Sequence, residues 1–373
     1  MVDISTLLNN DDDWSVLLSF LPSDWQVMAQ STGALLRARN FTPDSLLRTL
    51  LIYLADGCSL RETAVRAKQG HIAKVSDVAL LKRLNASGEW FRRMSTELMV
   101  QWVAKPPDHL FGSEYRVRLI DGSTVSEPGA TGSTWRIHYS VQLSTLQCDE
   151  VYVTEPSVGE SFERFQVAIG DLFIGDRGFG NRTSVRYVSD RDGAVIVRLN
   201  ATNLPLLNED GTGKFDLLGH LRALQGTKTG AWNVVVPYRD GHAIKGRICA
   251  LKKSKEAAEQ AKLKAARESK KQGHAIKPET LEAAEYIFVF TTLPHNYSAT
   301  TVLEAYRGRW QIEIAFKRLK SLLGLGHLRK MDPTGAKAWL HGKLFVAFLI
   351  EAMIACGDRF SPWGYPTPEP QAA

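Results

Sequence analysis

Cysteine is scarce in this 373-residue chain. Its four copies (Cys58, Cys148, Cys249 and Cys356) lie far apart and never at CxxC spacing, and the nine histidines include no HxxH or HxxxH pair. These absences exclude a zinc finger and a disulfide framework, and they fit a reducing compartment. Long apolar runs are also missing. The most apolar stretch, Leu344 to Cys356, is short and carries Glu351, so it reads as a buried helix and not as a bilayer span. The opening segment, Met1 to Asp13, is acidic and polar and lacks the basic-then-apolar order of a secretion signal. No internal repeat is visible. A cytoplasmic chain without a membrane partner is expected.

Acidic residues are the rarer charge, 40 against 46 Lys and Arg, for a formal net charge of +6. That excess favours a polyanionic partner such as nucleic acid. Apolar content of 44% and charged content of 23% are those of an ordinary globular protein, and the length allows two or three domains with real cores.

Residues 1–108 read as helical. Leu46, Leu47, Leu50, Leu51 and Leu54 recur at the spacing of a core-facing helix. Ser59 and Glu62 form a capping-box pattern, and Ser76 is a second cap before Asp77 to Leu84. Two short helices joined across Gly70 resemble a helix-turn-helix, and Arg61, Arg66, Lys68, Lys74, Lys82 and Arg83 make it basic. This region is the expected DNA-binding part.

From Tyr115 the texture changes to strands. Candidates are Arg116 to Asp121 (stopped by Gly122-Ser123), Thr134 to Leu143, Val151 to Thr154, Leu172 to Asp176 and Ala194 to Arg198. A helical turn within Glu160 to Ala168 and a helix from Asn181 to Asp190 lie between them. The order β-β-β-α-β-α-β is a meander followed by crossovers, and it predicts a mixed α/β layer. Residues 200–292 interrupt that layer with further strands at Ala231 to Tyr238, Ile244 to Leu251 and Tyr286 to Thr292. They also hold the Ala-, Lys- and Glu-rich segment Lys252 to Lys271, which is expected to be a helix with almost no apolar stripe. Such a helix is a solvated projection, a cationic arm against phosphates or a contact for a protein partner. Residues 293–358 return to the core, and 359–373, rich in proline, form an expected flexible tail.

The most informative stretch runs from Tyr306 to Lys320. Tyr306, Arg309, Glu313 and Lys320 follow one another at steps of three, four and seven. On one α-helix these side chains fall within roughly 60° of each other. Ile312, Phe316, Leu319 and Leu323 form an apolar stripe beside them, so the polar stripe lies along the margin of a buried face. Two further acids are notable by placement: Asp121 in Asp121-Gly122-Ser123 and Asp176 in Asp176-Arg177-Gly178-Phe179-Gly180, each at an expected strand end. An acid before glycine at a strand end is most often a turn residue. Three acids in one α/β layer, the third between cations, point to metal or phosphate chemistry. In-line phosphodiester cleavage can use two divalent ions about 3.5–4 Å apart. Mg²⁺ takes oxygen ligands and keeps several waters, so few carboxylates suffice.

These motifs together resemble the DDE transposases of the insertion-sequence family four. The Tyr, Arg, Glu and Lys spacing matches that family's late-helix hallmark at Tyr306, Arg309, Glu313 and Lys320. Asp121-Gly122-Ser123 matches its first-acid motif, and Asp176-Arg177-Gly178-Phe179-Gly180 its second. The resemblance spans roughly residues 30 to 350. It implies an RNase H-like (retroviral-integrase-like) catalytic core over 109–199 and 293–358, with 200–292 as a β-rich insertion and 1–108 as an all-α N-terminal domain. Asp121, Asp176 and Glu313 are then the catalytic, metal-holding acids for two Mg²⁺ ions, with Mn²⁺ as a substitute. Tyr306, Arg309, Lys320 and Arg177 are the DNA-contacting residues. The implied activity is cut-and-paste transposition: hydrolysis frees a 3′-hydroxyl, which then attacks target DNA. The implied partners are double-stranded DNA (terminal inverted repeats and target) and a second copy as a homodimer on DNA, which would place the protein at the nucleoid. The rival readings are a structure-selective nuclease of the same fold and a catalytically silent DNA-binding copy. The insertion's single tryptophan, Trp232, matches no motif for a base-stabilising aromatic, so the excision route stays open.

Overall fold

The computed structural model describes residues 13–357 apart from 37–39, 102–110, 112–113, 128, 130–133, 227, 239–240, 272, 274, 327 and 329–331. The expected tail at 359–373, the first twelve residues and the expected domain boundary at 108 lie outside the described residues.

Six helices open the chain: α1 (Asp13–Leu18), α2 (Trp25–Ser31), α3 (Pro43–Ala55), α4 (Leu60–Gln69), α5 (Asp77–Ala86) and α6 (Gly88–Gln101). Their starts follow from side-chain capping. Thr42 and Ser45 exchange hydrogen bonds at the head of α3, where Pro43 costs no helical bond because its missing N–H would be unpaired there anyway. Ser59 accepts from the Glu62 N–H, but the Glu62 carboxylate turns to Arg66 at 2.8 Å, so only half of the expected capping box forms. Ser76 caps α5 through the Ala79 N–H. Leu46, Leu47, Leu50 and Leu54 are buried, as their spacing predicts.

The strands are β1 (Arg116–Val125), β2 (Trp135–Gln142), β3 (Cys148–Thr154), β4 (Asp171–Gly175), β5 (Ala194–Arg198), β6 (Leu207–Asn208), β7 (Thr229–Pro237), β8 (Ala243–Lys252) and β9 (Tyr286–Thr291). A 3-10 turn at Phe162–Arg164 precedes β4, and α7 (Arg182–Ser189) links β4 to β5. All nine strands form one sheet in the order β3-β2-β1-β4-β5-β9-β8-β7-β6. β2 and β3 run antiparallel as a meander from β1, whereas β4 lies parallel to β1 and β5 parallel to β4. The segment expected to interrupt the layer extends it instead, because β9 pairs antiparallel with β5 and carries β8, β7 and β6 outward.

Strand alternation sends neighbours to opposite faces. Leu119, Leu172, Ile174 and Ile196 face a core shared with the N-terminal helices and α13 (Pro333–Gly357). Phe91 meets Phe345 there at 5.6 Å, so residues on either side of position 108 bury one another. Ile120, Phe173, Val195 and Val197 face a second core under the 3-10 turn and α7. The remaining helices are α8 (Leu217–Arg222), α9 (Lys255–Lys271), α10 (Pro278–Ala283), α11 (Ala299–Arg307) and α12 (Trp310–Lys317). In α9 only Ala258 is buried, as the missing apolar stripe requires. Cys58, Cys148 and Cys249 are buried free thiols. Among the described residues no helix is long and apolar enough to cross a membrane.

Candidate active site

Strand register places the first two acids side by side. The β1–β4 pairing ends at Ile120 opposite Gly175, and Asp121 and Asp176 are the next residues along the two parallel strands. Asp121 is not at a strand end, however. β1 continues to Val125 because β2 keeps pairing as far as Val125 opposite Trp135, after β4 has let go. The site is thus a notch where one neighbour of β1 stops and the other does not.

The late helix is not continuous. α11 ends at Gly308, and the ladder tightens through three i→i+3 bonds: Arg309 N–H to Tyr306, Gln311 N–H to Gly308 and Ile312 N–H to Arg309. α12 then runs from Trp310 and gives way to a π-helical turn at Arg318–Leu322. The four polar residues therefore occupy different local geometries: Tyr306 on the last turn of α11, Arg309 at the N-cap of α12, Glu313 in its first turn and Lys320 in the π turn. A π turn inserted into a helix is often found at a functional site. Gly308 is where this segment passes over the end of β2, and a Cβ there would stand 3.2 Å from the Leu143 side chain. Ile312, Phe316 and Leu319 are buried as expected, and they dock the segment on the sheet.

Arg309 links the helix to the strands. Its guanidinium donates to Glu313 Oε1 at 2.6 Å and stands 3.7 Å from Asp121 Oδ2. Burial pushes the Asp121 carboxyl up to about 7; the charges of Asp176 and Glu160 add to this, while the Gly122 N–H and Arg309 oppose it. Asp121 is only 16% exposed, whereas Glu313 is 59% exposed. Burial raises the Tyr306 phenol too, against Arg309 and Arg198 beside it, so Tyr306 belongs to the same cluster. Lys320 Nζ donates to the Thr124 carbonyl at 2.9 Å, tying the π turn to the far end of β1, and burial lowers its pKa. Arg177 is exposed, and its side chain makes no hydrogen bond or ion pair among the described residues.

Three positions of the second-acid motif, Asp176, Phe179 and Gly180, shape the loop. Asp176 Oδ1 accepts from the Gly178 N–H at 2.7 Å. Phe179 is fully buried and stacks on Phe162, with ring centroids 4.9 Å apart. A Cβ at Gly180 would collide with the Arg198 carbonyl at the end of β5. Glu160, for which the sequence carries no motif, also reaches this cluster, and its carboxylate lies against Gly122 and Gly178.

The donor set suits a hard divalent ion, being carboxylate oxygen throughout with a partly uncompensated pair at its centre. Among the described residues no three His, Cys, Asp or Glu side chains yet converge on one metal position. Two acids meet, while the third is held by Arg309. That ion pair is uneven: Glu313 is 59% exposed, whereas Arg309 is 21% exposed.

An α/β protein with a carboxylate notch between parallel strands and cations on a late helix is the class that this geometry defines. Comparison narrows it. A profile of the transposase DDE domain matches residues 155–349, a range that includes Asp176 and Glu313 but begins beyond Asp121. The chain is 36% identical over 360 residues to the putative transposase InsL for insertion sequence element IS186A of Escherichia coli (strain K12), covering 94% of this chain and 96% of that protein. It is likewise 36% identical over 361 residues to the transposase for insertion sequence element IS421 of Escherichia coli, with the same coverage. Among solved structures, the catalytic domain of human Endonuclease V aligns over 63% of this chain and 97% of that chain at 13% identity, with a TM-score of 0.28, too distant to carry an argument. The chain belongs to the transposase DDE domain family.

Proposed function

We propose that this protein is the transposase of an insertion sequence: it cuts double-stranded DNA at the terminal inverted repeats of its element and joins the freed 3′-hydroxyl to target DNA. The observation that carries the reading is the register Ile120–Gly175, which makes Asp121 and Asp176 neighbours, together with Arg309 reaching from α12 to both Asp121 and Glu313. The β3-β2-β1-β4-β5 part of the sheet, a meander followed by two parallel strands, supports an RNase H-like core.

Asp121, Asp176 and Glu313 would hold the divalent ions, Mg²⁺ with Mn²⁺ as a substitute. Such ions acidify a bound water and offset charge on the leaving oxygen. Arg309 would bind a phosphate of the scissile strand by its planar fork. Tyr306 packs against Arg309 and orients it, and exposed Arg177 contacts the backbone from the second-acid loop. Lys320 holds β1 and α12 together through Thr124 while its charge stays near the DNA path.

Binding beyond the notch uses exposed cations. In α4 and α5, Arg66 is neutralised by Asp56 and Glu62 and Arg83 donates to the Ala34 carbonyl, which leaves Arg61, Lys68 and Lys82 without partners among the described residues. Helix α9 is anchored by Lys262 to Glu285 at 2.8 Å and presents Lys264, Arg267 and Lys271 to solvent. Both elements suit phosphate contacts. Synapsis of two element ends calls for a homodimer on DNA.

The test is a Mg²⁺-dependent assay on element-end DNA with Asp176→Ala and Glu313→Gln. Both variants should lose cleavage, and the wild type should join a 3′-hydroxyl end to a second duplex. Undiminished cutting by either variant would refute the assignment, and cutting without joining would make the protein a structure-selective nuclease.

A further inference from the structure

We propose that Glu160 is a fourth carboxylate of this site, which helps to hold a divalent cation beside Asp176. The proposal rests on the DDE reading of Asp121 and Asp176, and it names a residue that lies outside all three acid motifs.

The first support is the space that two glycines leave. An ideal Cβ on Gly122 would meet Glu160 Oε1 at 2.9 Å, and one on Gly178 would collide with Glu160 Oε2 and stand 3.1 Å from Asp176 Oδ1. Neither glycine has positive φ. The turn chemistry that usually explains an acid followed by glycine is therefore not what these positions require. The space beside both is filled by the Glu160 carboxylate, which a Cβ at either position would push aside. The glycine after the first acid and the glycine two residues after the second acid border the same side chain.

The second support is how Glu160 is held. Phe162, two residues on, is fully buried between Gly175 and Phe179, and its N–H donates to Ser184 Oγ at 3.3 Å. Arg164 Nε reaches back to the Gly159 carbonyl at 3.0 Å. The segment is thus pinned on both sides of Glu160, and its pin is the ring stack with the Asp176 loop. A loop that merely connected β3 to β4 would not need to be fixed to that loop.

The third support is what Glu160 lacks. Half-buried, it makes no hydrogen bond or ion pair within 4 Å among the described residues. Ser161, not Glu160, caps the 3-10 turn through the Glu163 N–H. The charges facing Glu160 are Asp176 and Asp121, opposed by Arg136, which makes no ion pair with it. A half-buried carboxylate beside like charges with no donor is unfavourable for folding. A divalent cation would reverse that penalty, and a solvated surface role would leave it unexplained.

The full-length protein is titrated with Mn²⁺ by calorimetry and melted with and without it, as wild type, Glu160→Gln, Glu160→Asp and Asp176→Asn. Glu160→Gln should weaken Mn²⁺ binding by about 10- to 100-fold while melting above the wild type in the absence of metal, because a like charge is gone. Glu160→Asp, which keeps the charge but withdraws it, should weaken binding by less. Unchanged Mn²⁺ affinity in Glu160→Gln, with Asp176→Asn impaired, overturns the role of Glu160 alone and leaves the DDE reading standing. Unchanged affinity in Asp176→Asn sinks the reading of the site, and Glu160 with it.

Discussion

Arg309 donates to Glu313 Oε1 at 2.6 Å across one helical turn. The same guanidinium faces Asp121 at 3.7 Å, so one side chain spans the first and third acids. One cation thus bridges an acid of the strands and an acid of the helix.

Replacing that group should affect both chemistry and stability. Arg309→Ala is expected to lower Mg²⁺-dependent cleavage by about 10²–10³, the cost of removing one preorganised donor from a developing charge. The slope of log binding against log salt for element-end DNA should fall by about 1. Arg309 is 21% exposed and faces Asp121, itself 16% exposed, so the unfolding midpoint should fall as well. Cleavage rates, salt titrations and a urea melt on one preparation check all three.

The stack of Phe162 on Phe179 joins the Glu160 segment to the Asp176 loop, and both rings are fully buried. Phe179→Ala should cost about 3–5 kcal/mol through lost burial and the cavity left behind. A two-state urea denaturation measures it, and a loss under 1 kcal/mol would mean that the loop is not seated as described.

Arg118 is 2% exposed and reaches Glu150 at 2.6 Å, Asp149 at 2.8 Å and Asp171 at 3.3 Å, tying β1 to β3 and β4. Taking away the cation strands its acids in the interior. Arg118→Met is expected to destabilise by about 3–5 kcal/mol at neutral pH. Asp171 keeps Arg116 at 2.6 Å, so the damage should centre on Asp149 and Glu150. Equilibrium unfolding of the variant at pH 7 gives the number.

Glu351 on α13 lies against Cys148, and burial pushes its carboxyl up to about 7, against Arg318 and the Cys148 N–H. A folded pKa above the unfolded one means that the native state keeps a proton which the unfolded chain has lost. Stability from this group therefore declines as pH rises from about 4.5 through about 7, and it is level outside that window. Glu351→Gln should match the wild type near pH 4 and exceed it by about 1–3 kcal/mol at pH 8. Denaturant melts at the two pH values decide it, and a variant less stable at pH 8 would contradict the sign.

Much of the fold was legible because its elements are locally specified. Side-chain caps at Thr42, Ser59 and Ser76 start helices whose apolar spacing already shows which face is buried. The strand from Ala194 to Arg198 is a continuous apolar run, and it folds as read. The late helix was harder. A wheel assumes one continuous ladder, whereas contact of Gly308 with Leu143 and the π turn at Arg318–Leu322 change the local twist. The end of β1 was misjudged for a related reason: Gly122-Ser123 looks like a stop, but pairing to β2 overrides local preference.

The acids Asp121, Asp176 and Glu313 stand out in the chain because their motifs are local and short. Glu160 does not, because what defines it is the space beside two glycines that lie 38 residues before it and 18 after it. Sequence by itself settled which residue types are available, where most helices and strands begin, and which short motifs carry the acids. Tertiary structure alone decided that β4 ends where β1 does not, that Arg309 takes the third acid, and that a fourth acid enters the notch. Those outcomes depend on strand register and on side-chain volumes brought together from distant segments, which no pattern along the chain encodes.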